Sequence, residues 1–198
     1  MKKILIIVFV FALSLYLLNF LPIHGEEAVY DSVVRLHVVA NSDSDADQSL
    51  KLKVRDAVLA SMSGILDGCT DRAEALSKLS SALPEIERTA SDTVRAQGFD
   101  YPVTVTLGEE KYPRKSYEDV CFPAGTYQSL QVKIGESEGK NWWCVLFPEM
   151  CLSGAKNAES AFIEVGLTSE QYKIITETEE PKYKIRFKIL EALKGSEK

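Results

Sequence analysis

The sequence predicts an α+β protein: an N-terminal strand, two or three helices, then a mostly antiparallel sheet and a C-terminal helix. Apolar and polar residues alternate over residues 32–40, as on a strand with one buried face. Over residues 50–94 the apolar positions instead recur every three or four residues, the period of a helix packed along one stripe. Beyond Gly98 the period returns to two, in Val103, Val105 and Leu107 and again in Leu130, Val132 and Ile134. The 198 residues are 45% hydrophobic and 26% charged, a balance that opposes disorder and suffices for one ordinary core.

Ahead of the first strand no charged residue occurs between positions 4 and 25, and ILIIVFVFALSLYLLNFLPI is long enough to cross about 30 Å of hydrocarbon as a helix. Lys2 and Lys3 precede it, so the positive-inside rule keeps them in the cytoplasm and delivers everything after Gly25 across the membrane. Residues 1–25 therefore read as a signal peptide or membrane anchor, and 26–198 as a single exported domain. The long apolar run and the poor cleavage match at Ile23-His24-Gly25 favour the uncleaved anchor, which would hold the chain to the membrane. Removing Lys2 and Lys3 from the 23 basic residues leaves 21 against 29 acidic ones, a formal charge of −8. Phosphate backbones repel such a body, so nucleic acid is disfavoured as a partner and a protein or small ligand favoured.

In the first strand Val34, Leu36 and Val38 share one face, and Arg35 and His37 the other. The helix that follows carries Leu50, Val54, Ala57, Val58, Ser61 and Ile65 on one stripe, with Lys51 and Arg55 as a basic ridge elsewhere. Asp45 or Asp47 is placed to cap its first amides. Gly68 ends it. Leu76, Leu79, Leu83, Ile86, Ala90 and Val94 sustain the next helical stripe, which Pro84 either kinks or splits near Leu83. In the sheet, residues 108–111 and 135–140 supply turn chemistry, and Pro113 marks an edge. Residues 141–147, apolar on both faces, read as a central strand. A short helix at 169–174, an acidic link at 177–181 and a final helix including Phe187, Leu190 and Leu193 complete the chain.

Catalytic signatures are sparse. His24 lies at the membrane boundary and His37 within a strand, so no spaced histidine set offers a metal site. Asp43, Asp45 and Asp47 stand at alternate positions, as a calcium loop begins, but Gln48 occupies the place that needs Gly and Val54 the place that needs a bidentate Glu. No GxSxG, phosphate loop or dinucleotide-binding pattern occurs. A cysteine hydrolase built from Cys144 and His37 would need a free thiolate. No catalytic residue, metal or cofactor is expected.

Cys69, Cys121, Cys144 and Cys151 form an even set in an exported chain, which points to disulfides. Of the three full pairings, Cys144 with Cys151 is expected because least chain separates them and Pro148 can turn it back. Cys69 with Cys121 follows only as the remainder, and four reduced, buried cysteines are the alternative. Trp142 and Trp143 are adjacent, so on a strand their rings point to opposite faces. They either pack a core or anchor a partner, where tryptophan is enriched among energetic hot spots.

Three stretches, RLHVVANSDSDADQSLKLKVRDAV at 35–58, FPAGTY at 122–127 and GKNWWCVLFPEMC at 139–151, resemble the stage II sporulation protein R family of endospore-forming bacteria. Tyr112-Pro113 stands where that family is associated with Phe-Pro, and Glu149-Met150 where it is associated with Pro-Leu. The resemblance implies a signalling protein, not an enzyme, made in the forespore and exported to the space between forespore and mother cell. Its implied partner is a membrane-embedded aspartic protease of the mother cell, which processes the sigma-E precursor. A cell-envelope hydrolase or glycan-binding domain is the competing class, marked by a carboxylate pair or aromatic groove.

Capping needs only one or two acidic groups, so Asn41, Ser42 and Asp43 are in excess. Together with Trp142 and Trp143 they form the expected protease contact, a solvated turn being the alternative. On that expectation, replacing Asn41, Ser42 and Asp43 together leaves the thermal midpoint nearly unchanged and abolishes sigma-E processing. The topology is checked separately: protease added to intact cells should digest the body after Gly25, and protection there with digestion only from the cytoplasmic side would reverse it.

Overall fold

Val34–Val39 form β1, the strand around which the other elements are arranged. The computed structural model of the protein describes residues 26–117, 120–148 and 150–151, together with residues 3, 9–11, 13–14, 162–163, 167–168, 172 and 175–176. The chain divides into two units, one of Gly25–Glu177 and one of Met1–His24 with Thr178–Lys198. In the terminal unit Phe9, Val10, Phe11 and Leu13 are helical and exposed. Among the described residues no helix is long and apolar enough to cross a membrane. Most of the predicted apolar span lies outside those residues.

The larger unit runs α1 (Glu26–Ser32), β1, α2 (Asp45–Leu66), α3 (Arg72–Ala96), β2 (Val103–Tyr112), β3 (Lys115–Tyr117), β4 (Val120–Phe122), β5 (Gly125–Ile134) and β6 (Asn141–Phe147). Four strands form one sheet in the order β2-β5-β1-β6. β1 is parallel to β5 and antiparallel to β6, and β2 is antiparallel to β5. β3 and β4 pair as a separate antiparallel ribbon. The predicted α+β class and mostly antiparallel sheet are observed. Tyr172, inside the helix predicted at 169–174, is helical. The link at 177–181 and the final helix around Phe187, Leu190 and Leu193 lie outside the described residues.

The helical stripes meet the sheet on one face. Val34, Leu36 and Val38 of β1 pack with Leu50, Val54, Val58 and Met62 of α2 and with Leu79, Ile86, Ala90 and Val94 of α3. Each such side chain removed from water contributes about 1.5–3 kcal/mol before entropy is counted. The buried stripe of α2 is rotated from the predicted one: Leu59, Met62 and Leu66 are buried, whereas Ala57, Ser61 and Ile65 are only partly so. α3 continues through Pro84 as one element, held by Leu79 before it and Ile86 after it, both fully buried.

Several sequence expectations change in the fold. Residues 108–111 are not a turn but part of β2, where Gly108 pairs with Ser129. β6 is not central: it ends the sheet order, and its last four residues are buried by cover from both sheet faces. β1 is buried on both faces, because the β3–β4 ribbon and Phe162, Leu167 and Ile175 cover the side that carries Arg35. The turn at 135–140 is observed, with Gly135 at φ 58°.

Gly135 combines that left-handed backbone with a contact, since an added Cβ would collide with the Asn41 carboxamide. Gly135→Ala should therefore cost about 1–2 kcal/mol or more, seen as a lower thermal midpoint. Gly64→Ala, in α2 with nothing within 4 Å of the added Cβ, should raise stability by about 0.5–1 kcal/mol.

Candidate partner-binding site

β1 lies between β5 and β6, so the segment joining those two strands must cross the point where the chain leaves β1. The crossing places the amides of residues 136–140 against residues 40–43. Gly139 N–H donates to the Ala40 carbonyl at 3.0 Å and Glu138 N–H to that of Asn41 at 3.1 Å. Side chains complete the set: Glu136 N–H donates to Asn41 Oδ1 at 3.0 Å and Lys140 N–H to Asp43 Oδ1 at 2.7 Å. Gly139 is needed here because a Cβ would strike the Ser42 carbonyl.

The same residues start α2. Asn41 Nδ2 and Ser42 Oγ both donate to Asp47 Oδ2, at 2.9 and 2.6 Å. The cap is Ser44 rather than Asp45 or Asp47: Ser44 Oγ accepts from Asp47 N–H, and the Ser44 N–H is taken up by Ser42 Oγ, both at 3.2 Å. Asp47 is only 4% exposed. Hydrogen bonds from Ser42 and then Asn41 outweigh burial and hold its carboxyl below the ordinary range. Gln48 Nε2 donates to the Ser42 carbonyl at 2.8 Å. The short polar groups that exceeded the needs of capping thus close the crossing and the helix start together.

Lys51, predicted on a basic ridge away from the apolar stripe, is buried at 4% exposure. Its Nζ donates to the Lys140 carbonyl at 2.9 Å and to Gln48 Oε1 at 2.7 Å, which makes burial of the ammonium tolerable. Burial lowers its pKa; nearby Asp43 opposes the shift, while Arg55 and Lys140 add to it.

On the other face of the sheet are two groups that sequence reasoning left without a role, Arg35 at 0% and His37 at 7% exposure. The Arg35 guanidinium lies 4.4 Å from the Tyr112 ring centre, 4.9 Å from Phe122, 5.0 Å from Tyr127 and 5.6 Å from Tyr117. Its Nε donates to the Cys144 carbonyl at 3.1 Å and its Nη2 to the Tyr117 hydroxyl at 2.8 Å. Burial pushes the phenols of Tyr112 and Tyr117 up. His37 joins three strands, with Nδ1 2.8 Å from Glu110 Oε1 and Nε2 2.8 Å from Asn141 Oδ1. Burial alone would raise Glu110; hydrogen bonding and electrostatic attraction from His37, with hydrogen bonds from Ser129 and Tyr112, together outweigh it and hold that carboxyl below its usual range. The available signal was an Arg-x-His pair on a valine-rich strand, with tyrosine or phenylalanine at 112, 117, 122 and 127 to receive the cation.

Cys144 and Cys151 are bonded, with Cα atoms 6.1 Å apart. The Cys69–Cys121 remainder is corrected, because both are free. Cys69 packs against the helix-side core, whereas Cys121 lies on β4, across the sheet, where Arg114 Nε and Ser116 Oγ donate to its sulfur at 3.1 and 3.3 Å. Trp142 turns to the helices, its ring centre 4.9 Å from the Arg55 guanidinium. Trp143 turns the other way, 5.6 Å from the His37 ring and 5.4 Å from Lys115 Nζ. The two indoles therefore form no common groove, and they lie on β6, whereas Asn41, Ser42 and Asp43 lie in the segment between β1 and α2. Among the described residues no group of three His, Cys, Asp or Glu is placed to hold a metal.

The family model of stage II sporulation protein R matches residues 30–157. The chain belongs to the stage II sporulation protein R family. It is 38% identical over 130 residues to stage II sporulation protein R of Bacillus subtilis (strain 168), across 66% of this chain and 58% of that protein. The chain thus matches less than two-thirds of its relative's length. No solved structure matches it. All three sequence stretches fall inside the region that identifies this member of the stage II sporulation protein R family. The first builds the crossing. FPAGTY sets Gly125 beneath the Tyr30 ring, where a Cβ would come within 2.7 Å, and ties Tyr127 Oη to the Pro123 carbonyl at 2.7 Å. The third supplies β6 and its disulfide.

Asp47 and Glu110 are both depressed in the folded state, so their contribution is present above their unfolded values and lost as pH falls through the folded ones. The thermal midpoint should fall between about pH 5 and pH 1, and Asp47→Asn should flatten that fall while lowering the midpoint at neutral pH. Replacing Asn41, Ser42 and Asp43 together with Ala, expected from the sequence alone to leave stability nearly unchanged, should cost about 2 kcal/mol or more given their internal hydrogen bonds.

Proposed function

We propose that this chain is an exported sporulation signal that activates a membrane-embedded aspartic protease, which then processes the sigma-E precursor in the mother cell. Family membership carries the reading. The charge-free run behind Lys2 and Lys3 supports export from the forespore into the intermembrane space, secreted or anchored by that run. The chain acts by binding rather than by catalysis: it shifts the protease towards its active state by preferring that state. A shift from about 1:99 to 99:1 requires roughly a 10⁴-fold preference, which needs a preorganised contact surface. Trp142, Trp143 and the segment holding Asn41, Ser42 and Asp43 belong to that surface in this reading. The hydrogen bonds of Asn41, Ser42 and Asp43 support a role in shaping it.

The deciding experiment co-produces the full chain, the protease and the precursor in a host that does not sporulate. Conversion of the precursor to its shorter form should require all three. An exported chain with its disulfide formed and no conversion would overturn the proposal.

A further inference from the structure

Leu52 is 40% exposed, a large apolar side chain left outside the core. It is one helical turn from Arg55, so the two are neighbours on the surface of α2. Arg55 in turn lies over Trp142, which is half-buried. Lys51 links Arg55, one turn along α2, to Lys140, whose carbonyl accepts from Lys51 Nζ at 2.9 Å. Asp56 pairs with Arg55 at 2.7 Å and Asp43 is near Lys51, whereas exposed Lys140 makes no ion pair among the described residues. Arg55, flanked by Leu52 on α2 and by Trp142 on β6, with exposed Lys140 immediately before β6, thus offers two cations on a chain whose exported part carries a formal −8.

We propose that Leu52, Arg55, Trp142 and Lys140 form the docking surface for an acidic segment of the protein partner, one that sets an apolar side chain beside its carboxylates. The identity of that partner rests on the function proposed above; the chemistry of the surface does not. An arginine over a tryptophan ring, with an exposed leucine beside it, has the composition of a binding hot spot. An anionic membrane is the poorer occupant, because the acidic body as a whole is repelled by it. Asn41 and Asp43 enter indirectly: they hold the 136–140 segment, and so Lys140, beside the start of α2, while Ser42 ties them to Asp47.

Two exposed positions allow a test that spares the core. Full-length Leu52→Glu with Lys140→Glu should cut precursor conversion in the three-component assay by about tenfold or more, with an unchanged thermal midpoint. Ser81→Glu with Arg88→Glu, the same charge change on exposed positions of α3, should leave conversion within about twofold. Equal conversion by both variants would overturn the surface and leave the function standing.

Binding is read independently of processing through Trp142 fluorescence in full-length Trp143→Phe protein, which keeps one of the two tryptophans. A synthetic peptide alternating glutamate and leucine should perturb it, and the Leu52→Glu, Lys140→Glu changes should abolish the response. No perturbation would refute the surface even if the wild type drives conversion. A response to phosphatidylglycerol vesicles that depends on Leu52 and Lys140, in place of the peptide response, would make the occupant a lipid and likewise overturn it. Failure of the wild type to drive conversion, with the peptide response intact, would reject the proposed function alone.

Discussion

The chain between β5 and β6 has to pass over the exit of β1, and a crossing of two backbones creates amides that neither strand ladder can satisfy. Glu136, Glu138 and Lys140 are exposed, so water is open to their amides, but residues 40–43 supply fixed acceptors in its place and so hold the crossing. Two main-chain carbonyls take Gly139 and Glu138, and two side-chain oxygens, from Asn41 and Asp43, take Glu136 and Lys140. Each choice is short-range. A longer side chain would push the crossing apart, and Gly135 and Gly139 are the counterpart concessions on the other strand. The same few residues then cap α2 through Ser44 and bury Asp47, so the sheet crossing and the first helix are one hydrogen-bonded unit.

The opposite sheet face is organised by a cation. Removing a guanidinium from water is costly, and Arg35 is offset by four ring faces, a carbonyl and a phenol rather than by a carboxylate. This gives the β3–β4 ribbon, through Tyr117 and Phe122, a reason to fold over the sheet. The bond to the Cys144 carbonyl extends the tie to β6, next to the disulfide. His37 does the same between the two outer strands, reaching Glu110 on one side and Asn141 on the other. The small polar complement of β1 therefore sets which segments cover the sheet.

If the protein works by contact, as proposed, rigidity of the displayed surface matters more than reactive groups. A preorganised surface loses less entropy on binding, leaving more of the interaction to discriminate between states of the partner. β6 is braced from both sides, by α2 through Trp142 and Arg55 and by the aromatic layer through Trp143 and His37. The loop that leads into it is fixed by the crossing. The region matched by the family contains all of these elements from β1 to the disulfide.

Local rules made much of this protein legible in its sequence. Period and capping chemistry placed β1, both long helices and the strands at Val103 and Leu130, because each depends on residues within a turn or two. Chain proximity favoured Cys144 with Cys151, and three composed stretches carried the family. Other features depended on partners distant in sequence. Whether Arg35 and His37 faced water or an aromatic layer turned on β3, β4 and the residues near 162, and the edge position of β6 turned on which strand β1 chose to accept. The polar excess at Asn41, Ser42 and Asp43 was visible as an excess, but its use was not. Hydrogen bonds across 95 and 97 residues leave no mark in local periodicity, so only the tertiary fold decided that those side chains close a backbone crossing.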